Sequence, residues 1–589
     1  MEIQRIFDLL PYCAQQYGSK KDFFACKENN RWITYSVQDY IHYANLVSYG
    51  LLAMGLKKGD VIATISNNRP EWNFIDMGMM QAGVIHLPIY PTISRDEYRY
   101  IFLHAMPKII IVSDRALFEK ISSLTEDVPS IQKIYTFNKV EGVPHWSEIT
   151  EEGKNHAAAL QEELEKVKSS IVTHDIATLI YTSGTTGFPK GVMLSHQNLI
   201  SNFTTTAKVH GYGSESRALS FLPLCHIYER MINYHYQYKG ICIYYAENLG
   251  AIADNLKEVK PTLFATVPRI IELFYEKIIS RGKELPLPQR LIFFWAVRLA
   301  MRYKQDYNAW YGFWRKIADR LVFRKWREAL GGNLKIIISG GASLQERFGK
   351  IFGAADIIIA EGYGLTETSP VIAVSNIIRK EIRYGTVGPV LEGVQVKFGE
   401  DGEILCKGPN VMPGYYKDPA LTREAIDEEG FFHTGDIGTL IEGKYLKITD
   451  RKKEIFKLSS GKYIAPQVIE NKLKESLFIE QAMVTGENQK FASALICPNF
   501  PYLHHWASHH HIDFQDNKDL IANPKIIALF QKEINAINEE LGQTEQIKRF
   551  RLVADEWSSA TGELSPTLKL KRKTLQEKYQ LLIAEIYNL

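Results

Sequence analysis

The sequence predicts an α/β protein with largely parallel sheets, in which a large N-terminal domain is followed by a small α+β C-terminal domain. Helical patterns such as 37–56, where apolar residues recur every three or four positions, alternate with apolar runs that end in polar turns. The runs lie at 61–68, 83–90, 108–114, 178–183, 334–341 and 355–364. In α/β folds of this kind, ligands bind beyond the carboxyl ends of the strands, so we expect functional residues in the polar turns.

The pattern of apolar residues and glycines changes past about residue 385. Glycines there divide the chain into short alternating segments, which predicts a β-rich subdomain, and Glu442-Gly443 has the composition of a hairpin turn. Beyond Asp450 a smaller α+β segment follows and ends in the basic stretch 568–573. We therefore place a boundary near residue 450, which gives domains 1–450 and 451–589.

Composition indicates a globular protein from a reducing compartment. With 589 residues, the chain is too long for one hydrophobic core. Its net charge of +3 gives no general affinity for polyanions, so nucleic acid is not an expected partner. The six cysteines form no CxxC pair, which argues against a disulfide framework or a structural zinc site.

Neither the N-terminus nor the longest uncharged run predicts membrane insertion. Glu2, Arg5 and Asp8 lie in the first turns, so the N-terminus does not resemble a secretory signal. Residues 77–94 are uncharged but interrupted by two prolines, which favours a buried strand and turn over a membrane span. We expect a cytoplasmic protein.

A loop rich in Ser, Thr and Gly, YTSGTTGFPKG at 181–191, follows one of the predicted strands. The backbone N–H groups of a glycine-rich turn, hydroxyl donors and one ammonium suit a polyphosphate. Pro189 and Gly191, on either side of the lysine, depart from the Walker pattern and argue against a P-loop kinase or GTPase. For such a loop alone, a solvated linker is the alternative. The candidate ligands are Thr182, Ser183, Gly184, Thr185, Thr186, Gly187 and Lys190.

This loop resembles the phosphate-binding signature of the adenylate-forming superfamily, which includes acyl-CoA synthetases, luciferases and peptide-synthetase adenylation domains. Further motifs follow in the family's order. The resemblance implies that ATP, with Mg²⁺, activates a carboxylate to an acyl-adenylate, and that the acyl group then passes to a second nucleophile. It also implies a large domain of two α/β subdomains plus a β-rich distorted barrel, and a small mobile C-terminal lid.

EGYGLTETSP at 361–370 resembles the family's adenine and magnesium motif. By this match Tyr363 stacks on adenine, Thr366 contacts the α-phosphate as a catalytic residue, and Glu367 ligates Mg²⁺. A single carboxylate suits Mg²⁺, which keeps substrate oxygens among its ligands. SGGAS at 339–343 resembles the loop that lines the adenine pocket. The other ATP-binding residues implied by the two motifs are Gly340, Gly341, Ala342, Glu361, Gly362 and Gly364.

HTGDIG at 433–438 and the segment that begins TDRKK at 449 resemble the family's ribose and hinge motifs. The match implies that Asp436 accepts hydrogen bonds from both ribose hydroxyls, and that Arg451 contacts the ribose. Lys453 occupies the hinge position, about which the small domain rotates. The segment brought to the thioester-forming centre after that rotation contains Lys457, Ser459 and Gly461.

SPTLKLKRK at 565–573 matches the position of the family's catalytic lysine, and the K-[LI]-x-R register selects Lys569. An ammonium there stabilises charge that develops on the α-phosphate and on the attacking carboxylate. Leu568 departs from the glycine that many relatives have before this lysine. An exposed basic tail is the alternative interpretation and applies to Lys571 and Lys573.

Segments around the acid pocket resemble long-chain fatty acyl-CoA synthetases. LPLCHIYER at 222–230 implies His226 as a catalytic residue at the pocket entrance, with Glu229 and Arg230 behind it. The aromatic stretch 231–245 suits a lipid tunnel, although an ordinary core fits it equally. We therefore expect a long-chain fatty acid, ATP and CoA as substrates. The alternatives are a fatty acyl-AMP ligase that loads a carrier protein and a non-catalytic relative.

Residues 284–329 form a basic and aromatic stretch. It holds four of the nine tryptophans, and ten Lys and Arg residues stand against four Asp and Glu. Cations suit anionic headgroups, and Trp and Tyr suit the lipid interface, so the stretch predicts peripheral contact with the cytoplasmic membrane face. Helices packed on the large domain, with their charges solvated, are the alternative.

A histidine-rich run at 502–511 is the last unusual feature. No cysteine or carboxylate cluster accompanies its histidines, so it does not define a metal site. We expect a solvated loop.

Overall fold

The computed structural model describes residues 2–182, 189–452, 454–558, 561–565 and 569–587, with the backbone alone at Leu249. The chain divides into two compact units. The first comprises 1–341, 346–396 and 406–433, and the second comprises 342–345, 397–405 and 434–589.

The helices are α1 Leu9–Tyr17, α2 Val37–Ala53, α3 Pro70–Gln81, α4 Arg95–Ala105, α5 Arg115–Ser122, α6 Ser147–Ser170, α7 His196–Thr206, α8 Ile227–Lys239, α9 Ile252–Val259, α10 Pro268–Lys283, α11 Leu287–Met301, α12 Ala309–Ala318, α13 Arg324–Ala329, α14 Glu346–Ala354, α15 Pro419–Ala425, α16 Pro466–Leu473, α17 Phe500–His509, α18 Asn517–Ala522, α19 Pro524–Asn538, α20 Arg572–Lys578 and α21 Gln580–Tyr587.

The strands are β1 Phe24–Glu28, β2 Arg31–Tyr35, β3 Val61–Ile65, β4 Ile85–Pro88, β5 Ile109–Val112, β6 Lys133–Thr136, β7 Ile176–Thr182, β8 Lys190–Ser195, β9 Arg217–Ser220, β10 Cys242–Tyr245, β11 Leu263–Thr266, β12 Ile336–Ser339, β13 Ile358–Gly364, β14 Val371–Val374, β15 Gln395–Phe398, β16 Glu403–Lys407, β17 Gly414–Tyr415, β18 Phe432–Ile441, β19 Tyr445–Arg451, β20 Phe456–Lys457, β21 Tyr463–Ile464, β22 Ile479–Thr485, β23 Ser493–Pro498 and β24 Arg549–Leu552.

Two large sheets organise the first unit. Their strand orders are β14-β13-β12-β11-β9-β10-β1-β2 and β17-β8-β7-β4-β3-β5-β6. Strands β9 to β13 and β1 run parallel in the first sheet, and β3 to β7 run parallel in the second. Strands such as β3 and β5 are buried throughout, as expected when helices cover both faces of a sheet. The predicted α/β class is confirmed, and each of the six predicted runs overlaps a strand.

Local signals in the sequence set the starts of several helices. Ser36 accepts a hydrogen bond from the Asp39 backbone N–H, while the Asp39 carboxylate accepts one from the Ser36 backbone. This capping box begins α2, which lies within the predicted helix 37–56, and Ser94 with Glu97 repeats it at α4.

The predicted β-rich segment contains a four-stranded sheet in the order β15-β16-β18-β19. Glu442 and Gly443 lie between β18 and β19, and both have positive φ, at 55° and 64°. The predicted hairpin turn is therefore confirmed. Where the family resemblance implies a distorted barrel, the structure has this four-stranded sheet.

The core of the second unit is built on the sheet β22-β23-β24, whose two faces are covered by different helices. Alternate residues of β23 point to opposite sides: Ala494 and Ile496 pack with Ile469 and Phe530, whereas Leu495 packs in the cluster that contains Leu575 and Ile586. The C-terminal helices α20 and α21 therefore complete one face of this core.

Within the described residues, no helix combines the length and apolar character needed to cross a bilayer.

Candidate active site

The β7–β8 hairpin places the first predicted site residues. Thr182 ends β7 and pairs with Lys190, the first residue of β8. Lys190 therefore lies at the loop end of this hairpin. Strand β7 of the hairpin also pairs with β4, in the parallel part of the sheet. The other predicted phosphate ligands lie outside the described residues: Ser183, Gly184, Thr185, Thr186 and Gly187.

Two hydrogen bonds through the hydroxyl of Tyr415 connect Lys190 to Glu367. The Lys190 Nζ donates to Tyr415 Oη at 2.8 Å, and Tyr415 Oη donates to Glu367 Oε1 at 2.9 Å. The direct distance from Lys190 Nζ to Glu367 Oε1 is 3.7 Å. Side-chain exposure is 29% for Lys190 and 10% for Glu367. An ammonium and a carboxylate therefore converge around a nearly buried hydroxyl.

The adenine and magnesium motif lies on β13 and the single 3₁₀ turn that follows it. Tyr363 and its neighbours Glu361, Gly362 and Gly364 are on the strand, while Thr366 and Glu367 are in the turn, where both are buried. A Cβ at Gly364 would approach the Pro370 carbonyl oxygen to 1.7 Å, so the turn requires glycine there.

The predicted adenine loop follows the adjacent strand. Ser339, the last residue of β12, pairs with Glu361 on β13, which places Gly340 beside the adenine motif. Gly341 has a φ of +81°, a conformation that favours glycine. A Cβ at Gly340 would come within 3.0 Å of the Tyr228 ring. Ala342 belongs to the second unit.

His226 caps the helix that carries the predicted acid-pocket motif. It precedes α8, and its Nδ1 accepts a hydrogen bond from the Tyr228 backbone N–H at 3.1 Å. Glu229 is buried, and its Oε1 accepts from Ser220 Oγ at 2.6 Å. Burial raises the pKa of Glu229 to about 8, so this carboxyl is neutral at pH 7.

Arg230 lies in a fully buried polar network. Its Nη2 contacts Asp76 Oδ1 at 2.5 Å, and its Nη1 donates to Thr178 Oγ1 at 2.7 Å. His86 Nδ1 lies 2.6 Å from the same Asp76 oxygen, and Tyr234 donates to the other. Burial opposes ionisation of Asp76, but Arg230 and His86 outweigh it and lower the pKa of Asp76. The network fastens α8 to the strand that leads to Lys190 and gives Arg230 a structural role.

Three residues predicted to serve the nucleotide and the first reaction step lie close together in the second unit. Asp436 on β18 pairs with Arg451 on β19, and Arg451 Nε lies 3.2 Å from Asp436 Oδ1. Lys569 interacts electrostatically with both residues and with Glu454. Asp436 is 5% exposed, so its carboxylate is held in place by the sheet.

Lys569 has a lowered pKa. Lys569 is exposed, and a partial loss of hydration together with the nearby Arg451 lowers its pKa to about 8. Asp436 and Glu454 act in the opposite direction. The lysine is still mainly protonated at pH 7 and loses its charge just above it.

Arg572 anchors the segment that carries Lys569. Its Nη2 contacts Glu470 Oε2 at 2.6 Å, and its Nε contacts Glu454 Oε2 at 2.9 Å. Glu470 is almost fully buried and also accepts from the Val484 backbone N–H at 2.7 Å. Arg572 therefore joins the start of α20 to α16 three residues after the catalytic candidate.

The residues predicted for the CoA stage lie on a small exposed hairpin. Lys457 on β20 pairs with Tyr463 on β21, and Ser459 and Gly461 are in the connecting turn. Gly461 has a φ of +83°, which favours glycine in this turn. Lys453, the predicted hinge, lies outside the described residues.

Comparison with known proteins identifies the family. Residues 13–416 match the model of the AMP-binding enzyme, and residues 453–589 match that of the AMP-binding enzyme C-terminal domain. The chain belongs to the AMP-binding enzyme family. It is 30% identical over 573 residues to long-chain-fatty-acid–CoA ligase FadD15 of Mycobacterium tuberculosis, covering 95% of this chain and 93% of that one. It is also 30% identical to long-chain-fatty-acid–CoA ligase 6 of Homo sapiens, over 96% of this chain and 83% of that one.

Solved structures share the fold of this AMP-binding enzyme. The A domain of carboxylic acid reductase from Segniliparus rugosus, in complex with AMP and a co-purified carboxylic acid, matches with a TM-score of 0.75. Identity is 20%, covering 99% of this chain and 94% of that one. The anthranilate CoA ligase AuaEII matches with a TM-score of 0.72 and 16% identity, covering 99% of both chains. The predicted membership of the adenylate-forming superfamily is confirmed.

The donor set around Glu367 fits Mg²⁺ held together with phosphate. Within the described residues, no group of three or more His, Cys, Asp or Glu side chains could hold a metal ion unaided. Mg²⁺ typically binds through one or two carboxylates and the phosphate oxygens of a substrate. The single carboxylate of Glu367, with Lys190 beside it to neutralise phosphate, matches that requirement.

The sequence did not identify Tyr415 or Arg572 as part of these clusters. Tyr415 follows a glycine in the run GYYKDP at 414–419, which by composition reads as an ordinary turn. Arg572 lies in the basic stretch 568–573, where only the position of Lys569 was recognised. The sequence did offer one signal for Arg572, because this residue is the arginine of the K-[LI]-x-R pattern that selected Lys569.

Proposed function

We propose that this AMP-binding enzyme is an ATP- and Mg²⁺-dependent long-chain fatty acyl-CoA synthetase. It converts a fatty acid, ATP and CoA to acyl-CoA, AMP and diphosphate through an acyl-adenylate. The observation that carries the proposal is the cluster of Lys190, Tyr415 and Glu367, which offers an ammonium and a carboxylate 3.7 Å apart to a metal-bound polyphosphate. Relatives that align over 93% and 83% of their own length, named long-chain-fatty-acid–CoA ligases, support the choice of acid and thiol.

The first half-reaction divides between the two clusters. Glu367 would hold Mg²⁺, which would supply positive charge to the leaving diphosphate, and Lys190 binds phosphate oxygens. Asp436 orients the ribose by accepting hydrogen bonds from its hydroxyls, with Arg451 beside it. Lys569 stabilises the charge that develops as the fatty acid carboxylate attacks the α-phosphate.

The second half-reaction uses a rotated small domain. Rotation about Lys453 withdraws Lys569 and presents the exposed hairpin that contains Lys457, Ser459 and Gly461. The CoA thiolate then attacks the acyl carbonyl, and AMP leaves. The rotation gates the two steps and adds no rate effect of its own.

A variant that separates the half-reactions tests the proposal. Lys569→Ala should abolish ATP–diphosphate exchange while retaining substantial acyl-CoA formation from supplied acyl-adenylate and CoA. Lys573→Ala removes an exposed lysine from the same segment and should behave like the native protein in both assays. Equal losses of both half-reactions in Lys569→Ala would contradict the assignment or the two-position lid.

A panel of C2 to C20 acids, with acyl-CoA and AMP measured in parallel, distinguishes the alternatives. Acyl-CoA formed preferentially from long-chain acids supports the proposal. Acyl-adenylate that accumulates in the presence of CoA would favour a ligase for a carrier protein. The absence of ATP–diphosphate exchange with every acid would favour a non-catalytic relative.

We also propose that the surface from Leu287 to Leu321, hereafter the 287–321 surface, binds an anionic bilayer from the cytoplasmic side. Eight of the nineteen large hydrophobic residues that are exposed in the described chain lie on it, including Leu291 at 62% and Trp310 at 71%. Edge-to-face packing of Trp295 on Trp314, at 5.9 Å between ring centres, joins α11 to α12.

The charges of the 287–321 surface support an anionic partner. Exposed cations surround the apolar residues on α11, α12 and the adjoining turns: Arg290, Arg298, Arg302, Lys304, Lys316 and Arg320. Aromatic side chains insert at the level of the headgroups, while the cations bind lipid phosphates. We propose that the enzyme works in the cytoplasm, at the membrane that dissolves its proposed long-chain substrate.

Flotation with vesicles tests this surface. The double variant Trp310→Ser/Phe313→Ser should lose flotation with phosphatidylcholine–phosphatidylglycerol vesicles, whereas the native protein floats. Leu581→Ser removes the most exposed large hydrophobic residue of the second unit, at 82%, and should leave flotation unchanged. Equal flotation of native protein and double variant would refute the proposal, as would equal native binding to purely zwitterionic vesicles.

A further inference from the structure

Tyr415 is positioned by an arrangement that is independent of Lys190 and Glu367. Strand β17 contains only Gly414 and Tyr415, and it pairs with β8, the strand that begins at Lys190. The Tyr415 backbone N–H donates to Thr422 Oγ1 on α15 at 2.9 Å. A Cβ at Gly414 would come within 2.6 Å of Thr422, so glycine allows this close approach. The phenol is therefore fixed by its own backbone.

The hydroxyl of Tyr415 has a defined direction of hydrogen bonding. The residue is 4% exposed. A carboxylate only accepts hydrogen bonds and an ammonium only donates them, so the hydroxyl donates to Glu367 Oε1 and accepts from Lys190 Nζ. Lys190 Nζ also lies 4.4 Å from the centre of the Tyr415 ring, within the range of a cation–π contact.

We propose that Tyr415 is a positioning residue for metal–nucleotide binding, which keeps the 3.7 Å ion pair of Lys190 and Glu367 from closing to a direct hydrogen bond. The inference rests on the proposed use of these two residues for phosphate and Mg²⁺. With the hydroxyl between them, the two charged groups stay 3.7 Å apart, and only one oxygen of Glu367 is bound by Tyr415. The hydrogen bond to Oε1 fixes the orientation of the carboxylate, and the position of Oε2 is thereby fixed as well.

Removal of the hydroxyl should have a specific effect. Without the bridge, the ammonium of Lys190 and the carboxylate of Glu367 can approach to a direct hydrogen bond of about 2.8 Å, which is typical of charged pairs. Each partner would then neutralise the other, and both Mg²⁺ and phosphate would have to break that pair before binding. The penalty should therefore appear mainly in the Mg²⁺-dependent part of nucleotide affinity.

Tyr415→Phe tests this, because it keeps the ring and removes the hydroxyl alone. Calorimetric titration with ATP, in the presence of Mg²⁺ and in its absence, measures binding without turnover. We expect affinity for Mg²⁺–ATP to fall by about tenfold, the typical effect of a lost hydrogen bond to a charged group, and affinity for metal-free ATP to fall less. The half-saturating Mg²⁺ concentration for diphosphate exchange should rise, while KM for the fatty acid stays unchanged.

Two further variants make the outcome decisive. Tyr416→Phe removes the neighbouring phenol hydroxyl, whose ring lies against His104, and should bind Mg²⁺–ATP as the native protein does. In a Glu367→Gln background, Tyr415→Phe should cause no further loss of Mg²⁺ dependence, because the two residues act as one unit.

Native-like Mg²⁺–ATP affinity in Tyr415→Phe would overturn the inference. Equal losses of affinity with and without Mg²⁺, accompanied by a lowered Tm, would also overturn it by showing a purely structural role. The proposed function fails separately: a native protein that binds Mg²⁺–ATP but forms no acyl-CoA from any acid would refute the synthetase and leave the test of Tyr415 intact.

Discussion

If Lys569 is the catalytic lysine, as proposed, its charge should set how the first half-reaction responds to pH. Its pKa of about 8 follows from lost hydration and from the neighbouring Arg451. An ammonium with this pKa is about 90% protonated at pH 7 and about 10% protonated at pH 9. A lysine loses its positive charge as pH rises through its pKa. If only the charged form assists attack on the α-phosphate, kcat/KM for adenylation should fall by roughly tenfold between pH 7 and pH 9.

ATP–diphosphate exchange at constant ionic strength measures this effect. CoA is omitted, so that ionisation of its thiol does not contribute to the profile. Lys569→Arg keeps its positive charge throughout the range and should give a lower but nearly flat profile, since the guanidinium does not titrate below about pH 12. Lys573→Arg alters an exposed lysine nearby and should keep the native profile.

Two results would refute the reasoning. A native profile that stays flat to pH 9 would show that the charge of Lys569 is not required, or that its surroundings do not lower its pKa. The same fall in Lys569→Arg as in the native protein would assign the titration to another group. A fall in exchange activity with rising pH that occurs in the native protein and in Lys573→Arg, but not in Lys569→Arg, supports the proposed role of Lys569.

The remaining predictions concern buried ionisable side chains that affect the stability of each unit. Arg230→Met should reduce the free energy of unfolding in urea by about 3–5 kcal/mol, because it leaves the buried carboxylate of Asp76 without its cation, and adding Asp76→Asn should restore part of the loss. The pKa of Glu229 is raised from 4.5 to about 8, so native stability should fall as pH rises from about 5 to about 8, and Glu229→Gln should gain in Tm relative to native protein over that range and gain no further above it. Arg572→Gln should lower both Tm and the rate of diphosphate exchange, because it leaves the buried Glu470 without its cation and releases the segment of Lys569, whereas Lys571→Gln should change neither.

The parallel sheets could be predicted because burial on both faces leaves an unmistakable pattern. Strands β3 and β5 are continuous apolar runs followed by polar turns, and each was located within two or three residues of its true ends. The turn at Glu442-Gly443 was equally clear, because positive φ at successive residues restricts the choice of side chain.

Two segments were predicted wrongly for related physical reasons. The run 77–94 was expected to be strand and turn; it does contain the strand β4, but its first five residues complete α3, a helix in which every residue is buried and no polar face marks the period. The run 502–511 was expected to be a solvated loop, but most of it belongs to α17. That helix buries Phe500, Leu503 and Ala507 on one side and carries its histidines mainly on the other.

The candidate site was predictable in its motifs and not in its connections. Lys190 and Glu367 were recognised through family patterns, yet Tyr415, which joins them, lies on a strand of two residues. Nothing in the spacing of Asp76, His86 and Arg230 indicates that they share one buried network, because these contacts join residues up to 154 positions apart. Such pairings depend on packing between elements, which local sequence does not encode.

The predicted site residues are divided between the two units. In the first unit, hydrogen bonds join Lys190, Tyr415 and Glu367, the residues proposed for phosphate and metal. In the second unit, an ion pair and the pairing of β18 with β19 join Asp436 and Arg451, the residues proposed for the ribose. Each of these contacts lies within one unit. The proposed rotation of the small domain therefore requires none of them to break, which suits an enzyme that carries out two reactions in turn.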